Sequence, residues 1–446
     1  MYDIKDIKKD TPVNGDLVIK SINKMNLENM DNASIREIVT VVNLIEEQWP
    51  EKFVRMEMGI PGLPPSSIGI NGQIKALKQG VASLYPPIDG VKPLKKEASD
   101  FINLFMNVKV SPEGCIPTVG SMEGTYSAFL AACNLGGGKD TILFIDPGFP
   151  VQKQQMQVMG GKYESFDVFH YRGEKLKEKL ESYLKKGNIS AIVYSNPNNP
   201  SWICFTEEEL KIIGDLSMKY DVIIFEDLAY FAMDFRKNLY TPGKAPYQAT
   251  VANYTNRYFL FISGSKIFSY AGERIAVMAI SDFIFNREYP NLETRFSCKT
   301  FGHTIVYKIL YALSSGTSHS AQLALAAMLK AANDGDFNFV NDIRDYENKA
   351  KIMKKLFTEN GFKIVYQMDG DTPVGNGFYF TVYYPGMTGG QLLFNLLCYG
   401  ISAITLKNTG SEKQGLRICV SHVDYNQFED LEKRLKKFNT DFSEKL

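Results

Sequence analysis

The chain has 446 residues, equal numbers of basic and acidic side chains at 50 each, and 44% hydrophobic residues. That length exceeds what one hydrophobic core usually organises and predicts two domains. A net charge of zero offers no pull toward nucleic acid or an anionic membrane. No apolar run reaches the roughly eighteen residues of a membrane-spanning helix. The opening, MYDIKDIKKD, mixes acids and bases and lacks the apolar centre of a signal peptide. The cysteines (Cys115, Cys133, Cys204, Cys298, Cys398, Cys419) show no C-x-x-C pair and read as small hydrophobes in a reducing compartment. A cytoplasmic protein is the expectation.

In chain order, residues 33–50 (ASIREIVTVVNLIEEQWP) place apolar side chains at helical spacing and stop at Pro50. Residues 59–72 are rich in Gly, Pro and Ser and read as loop. From about 73 to about 312, short apolar runs alternate with longer amphipathic stretches. TILFID (141–146), AIVYSN (191–196), DVIIFED (221–227), RYFLFIS (257–263) and RIAVMAI (274–280) read as buried strands. Thr206 and Glu209 form a capping box that opens a helix running to Tyr220. Strand, helix, strand at this spacing predicts an α/β fold, with a large domain whose mainly parallel sheet is flanked by helices. After about residue 320 comes a helical stretch, AQLALAAMLKAAND, and then alternating strands such as FYFTVYY (378–384) and GLRICVS (415–421). These predict a smaller α+β domain built from the C-terminal part and the N-terminal helix. The expected division is 1–58 as a segment packing with the small domain, 59–315 as the large domain and 316–446 as the small one.

Open α/β sheets bind ligands at the carboxyl ends of their strands. After AIVYS comes Asn196-Pro197-Asn198-Asn199-Pro200; after DVIIFE comes Asp227-Leu228-Ala229-Tyr230. After RYFLFI comes Ser263-Gly264-Ser265-Lys266, with Arg274 eight residues on, and Arg417 lies in a late strand-like run. Singly, these are a turn, a cap and a surface lysine. Together, their order, spacing and strand-end placement resemble the fold-type-I pyridoxal-phosphate (PLP) aminotransferases of the aspartate-aminotransferase class, class I/II, from about Gly59 to Arg417.

The resemblance implies a PLP site. Lys266 would carry the cofactor as a Schiff base and shuttle protons. Asp227 would keep the ring nitrogen protonated, and Asn199 and Tyr230 would bond the ring's phenolic oxygen. The helix opened by Gly120, Ser121 and Met122 would take the phosphate on its N-terminus, with Ser263, Ser265 and Arg274 completing the cup. Phe149, in Asp146-Pro147-Gly148-Phe149-Pro150, would stack on the ring. Arg417 would clamp the substrate α-carboxylate in two parallel hydrogen bonds, and Gly59 and Asn199 would adjoin the same group. Tyr85, in Tyr85-Pro86 before Asp89-Gly90, would reach the phosphate of the other subunit, so a homodimer with shared active sites is implied.

The implied reaction moves an amino group between an α-amino acid and a 2-oxo acid in ping-pong steps through aldimine and ketimine. Carbon–sulfur lysis, racemisation or decarboxylation would use the same residues. A non-enzymatic PLP-type sensor fused to a DNA-binding segment is a third reading, opposed by the zero net charge and by a short N-terminal segment with one long helix. Two departures stand out. The family pattern N-P-x-N-P continues with Thr-Gly, whereas here Ser201-Trp202 follows. Residues 286–307 fit no family segment, and Arg295 or Lys299 there could read a second substrate carboxylate. Gly136-Gly137-Gly138-Lys139-Asp140 lacks the first glycine and the magnesium-binding hydroxyl of a phosphate loop. No G-x-G-x-x-G occurs, and the four histidines show no metal-ligand spacing.

Overall fold

The computed structural model describes residue 8 and residues 10–443; most of the opening decapeptide lies outside the described residues. Its centre is a seven-stranded sheet. The strands are β2 (Cys115–Val119), β3 (Thr141–Asp146), β4 (Lys162–Asp167), β5 (Ile189–Ser195), β6 (Ile223–Asp227), β7 (Tyr258–Ser263) and β8 (Ile275–Ile280), after a short β1 (Val54–Arg55) outside this sheet. The order is β2-β8-β7-β6-β5-β3-β4, parallel throughout except for β8, which runs against both neighbours.

Side chains alternate across a strand, so a sheet covered on both faces makes two cores. Ile142, Phe144, Val193, Phe225 and Phe261 enter one; Leu143, Ile145, Ile192, Ile224 and Leu260 enter the other. On the first face lie the helix Gly120–Ala132 and residues 284–310, which contribute Leu292, Phe301, Ile305 and Ile309. The stretch that fits no family segment is therefore a cover for one face of the sheet, built from short helices and a π-helical turn at Ile305–Leu310.

The capping box of Thr206 and Glu209 is formed and opens the helix Glu207–Tyr220. The 33–50 helix spans Ile35–Glu46, opened by a second capping box, Ser34 with Glu37. One reading is corrected. The loop expected over 59–72 ends early, because a helix, Ser67–Lys78, begins inside it. Gly69 and Gly72, which gave the segment its loop composition, let this helix sit close on the helix His319–Asn333: a Cβ on Gly72 would lie 2.9 Å from the Cβ of Ala327.

The smaller unit holds a four-stranded sheet of Ile404–Thr405, Leu416–Cys419, Tyr379–Tyr383 and Lys363–Ile364. The N-terminal segment is tied to it where β1 pairs with Ile401–Ser402 and where Thr405 Oγ1 donates to the Asp31 carbonyl at 2.7 Å. The helix His319–Asn333, placed by sequence at the start of the small domain, packs on Ser67–Lys78 and on Lys92–Met106 of the larger unit. Its buried face is Ala321, Ala324, Leu325, Met328 and Leu329. By these contacts the helix sits against the larger unit. Among the described residues no helix is long and apolar enough to cross a membrane.

Candidate active site

Parallel register brings the polar strand ends together: Ser195 closes β5, Asp227 closes β6 beside it, and Ser263 closes β7. They open into a cavity of about 190 Å³ that also receives Gly59, Ser121, Met122, Phe149, Asn199, Tyr230, Ser265, Lys266, Arg274 and Arg417. Ile35, Thr125, Gln152, Ala229 and Tyr379 line it too and were not foreseen. A larger groove of about 580 Å³, lined by Val168, Arg172, Tyr366 and Lys413 among others, contains none of the expected residues.

Lys266 sits on the short helix Gly264–Ile267 that follows β7. Its ammonium donates to the Gly59 carbonyl. Burial pushes it down from the usual lysine value to about 8, and the nearby guanidiniums of Arg417 and Arg274 push the same way. Asp227 is buried and meets two neutral donors, the Gln152 amide at 2.9 Å and the Ala229 backbone N–H at 3.0 Å. Burial raises its carboxyl to about 6. A cationic ring N–H in the cavity would supply the charged partner that these neutral donors do not.

At the other end, Gly120, with φ 63°, begins the helix Gly120–Ala132, and its N–H donates to the Arg274 carbonyl at 2.9 Å. Ser263 Oγ accepts from the Ser265 N–H at 3.1 Å. Ser121 Oγ is buried without a hydrogen-bond partner. A helix N-terminus, hydroxyls and a guanidinium on the rim form an anion cup, and the orphaned hydroxyl fits a missing acceptor.

Arg417 is 1% exposed. It donates to the Glu57 carbonyl and, at 3.4 Å, to Asn199 Oδ1, while its Nε has no partner. A buried guanidinium facing only neutral acceptors is costly unless a ligand carboxylate completes it. Tyr230 and Tyr379 join hydroxyls at 2.8 Å. These residues fit PLP and an α-amino acid: a half-buried amine, a buried carboxylate, an anion cup and a carboxylate fork in one cavity.

Tyr85 does not enter this chain's cavity and is 92% exposed. Arg295 bonds Asn134 Oδ1 at 3.2 Å and Lys299 pairs with Glu288 at 3.0 Å; neither lines the cavity. Trp202 has a left-handed backbone, φ 62°, which explains the family's glycine at this position; a bulky residue there costs roughly 1–2 kcal/mol. Its indole does not narrow the cavity directly, because it turns into the core, where Gly377 leaves room for it.

The probable aspartate aminotransferase of Methanocaldococcus jannaschii is 22% identical over 77% of this chain and 80% of its own length. A lyase of Arabidopsis thaliana acting on S-alkyl-thiohydroximates is 24% identical over 37% of this chain and 35% of its own length. A single mutant of Thermus thermophilus aspartate aminotransferase superposes with a TM-score of 0.74 at 16% identity, covering 92% of this chain and 97% of its own. The family described as aminotransferase class I and II matches residues 64–435. With that match across most of the sequence, the fold shared and the strand-end residues gathered in one cavity, the chain belongs to the class I and II aminotransferases, an enzyme family that works with PLP.

Proposed function

We propose that this chain holds PLP on Lys266 and moves an amino group between an α-amino acid and a 2-oxo acid. The observation that carries the reading is the meeting of the half-buried Lys266 with the buried Asp227 and Arg417 in one cavity, with no carboxylate on the guanidinium and no cation on the carboxylate among the described residues. When bound, PLP supplies a carbonyl for the amine and a ring that withdraws electrons.

Lys266, with its lowered pKa, takes and returns a proton at the substrate's α-carbon. Asp227 keeps a proton on the ring nitrogen; Tyr230 and Asn199 hold the phenolic oxygen. Gly120, Ser121, Met122, Ser263, Ser265 and Arg274 bind the phosphate, Phe149 covers the ring, and Arg417 with Asn199 and Gly59 orients the α-carboxylate. The reading includes a homodimer in which Tyr85 reaches the partner's phosphate. It is supported by the exposure of Tyr85 and by apolar side chains left in solvent on the helix Ser67–Lys78 (Ile70, Ile74, Leu77) and at Tyr307 and Tyr311. The unpaired cysteines support a cytoplasmic location.

Borohydride reduction of the loaded protein tests the lysine. The cofactor should be fixed on the peptide that spans Ser263 to Arg274, and label on any other lysine would sink the assignment. A second reading, carbon–sulfur lysis on the same residues, is favoured by the similarity to the Arabidopsis lyase; it predicts ammonia among the products.

A further inference from the structure

Trp202 is one of two tryptophans in the chain and is among its largest fully buried side chains. Its indole meets Tyr230 edge-on, centroids 5.4 Å apart at 68°, and Tyr379 at 6.2 Å and 70°. Behind it lies Gly377, where a Cβ would fall 2.1 Å from an indole carbon. The indole nitrogen is buried without a hydrogen-bond partner, so Trp202 acts here by shape. The two phenols it backs are joined by their hydroxyls at 2.8 Å, with ring centroids 5.4 Å apart. The Tyr379 ring also faces the Arg417 guanidinium, 4.6 Å from its central carbon.

We infer that Tyr379 is a positioning residue of this site, holding the Tyr230 phenol through its hydroxyl and the Arg417 fork through its ring, with Trp202 as the buttress that fixes both tyrosines. The inference rests on the roles proposed above for Tyr230 and Arg417. With PLP bound, the Tyr230 hydroxyl would donate its hydrogen bond to the cofactor's phenolic oxygen, which leaves the Tyr379 hydroxyl to donate to the Tyr230 oxygen. That donation makes Tyr230 the stronger donor and withdraws charge from the cofactor oxygen. The bound chromophore then takes up its proton at a lower pH than it would without Tyr379. The ring does separate work: a cation–π contact on a desolvated guanidinium aims its two parallel donors at a carboxylate.

The test uses the full chain loaded with PLP and reads two quantities, the pH midpoint of the bound cofactor's visible absorbance and the KM for an amino acid. Tyr379→Phe keeps the ring and removes the hydroxyl; the midpoint should rise by about half a unit to one unit, the size of one neutral hydrogen bond, with KM nearly unchanged. Tyr379→Leu removes both; the midpoint should rise likewise, and KM should grow roughly tenfold. Trp202→Phe should move both readings the same way by less. A midpoint that stays or falls in Tyr379→Phe overturns the hydroxyl's role, whether or not Tyr379→Leu folds. A parallel loss of activity with no change in midpoint or KM overturns the whole inference, since that is the mark of general damage. Failure of the unmodified chain to take up PLP with a titrating absorbance would overturn the underlying reading instead.

Discussion

Lys266 is an amine held near neutrality by its surroundings, and this has a measurable consequence. Its value of about 8 lies below the usual lysine value of 10.5, so the neutral, nucleophilic form becomes abundant from about pH 8 upward. The rate of cofactor loading by the free protein should therefore climb through about pH 8 and level off above it; a rate still climbing steeply at pH 10 would show an unperturbed lysine. The sign for stability follows from the same shift. Between about 8 and 10.5 the unfolded chain binds the proton that the folded chain has released, so the cofactor-free protein should gain stability as pH rises through that window. Asp227→Ala should leave weakened but detectable cofactor binding and lower kcat by roughly a hundredfold or more. A near-normal kcat would mean that another group holds the ring nitrogen. The cavity positions of Lys266 and Asp227 were legible in the sequence because each stands in a short motif at the end of a strand. Those of Gln152, Ile35 and Tyr379 were not. Gln152 reaches Asp227 from a helix remote in sequence, Ile35 comes from the N-terminal helix, and Tyr379 alternates in a strand like any core tyrosine. Only the tertiary fold brings these three to the cavity.

The helix Gly120–Ala132 carries the most specific prediction at the level of elements. Gly120 has φ 63°, and a Cβ there would lie 2.4 Å from the Arg274 Nη2. Gly120→Ala should displace Arg274 and tilt the helix N-terminus, weakening PLP affinity by roughly tenfold or more. Equilibrium titration of PLP by absorbance reads this; unchanged affinity would remove the cup from the account. Thr206→Ala, which opens the capping box of Glu207–Tyr220 away from the cavity, should lower stability by about 1 kcal/mol and leave kcat alone. Denaturant unfolding beside a turnover assay distinguishes the two effects. Buried strands and this cap were readable because apolar runs and S/T-x-x-E spacing are local signals. The helix Ser67–Lys78 was hidden because glycine lowers helix propensity, while the packing it permits on His319–Asn333 stabilises the helix. The segment 286–307 was opaque for a related reason: it is cut into short helical turns whose only shared feature is the sheet face they cover.

For the whole molecule, alternation of strands and amphipathic stretches was enough to anticipate a large α/β unit and a smaller α+β one. Which unit the helix His319–Asn333 packs on was not readable, because an apolar helix looks the same on either. Quaternary structure is a proposal with its own test. Light scattering should give a dimer, and mixing inactive Lys266→Ala with an inactive Tyr85 variant should restore part of the activity, since one site of the heterodimer carries both defects and the other neither. A monomer, or no recovery on mixing, would remove Tyr85 from the site. Amino transfer itself is decided by a single half-reaction. Loaded protein is given an amino acid alone, without a 2-oxo acid, while absorbance and released products are followed across a panel of amino acids. Amino transfer predicts that for a true substrate the aldehyde form of the cofactor is replaced by its amine form, with one 2-oxo acid released per site and no ammonia. Ammonia and oxo acid released together, well beyond one per site and with the aldehyde form retained, would contradict it.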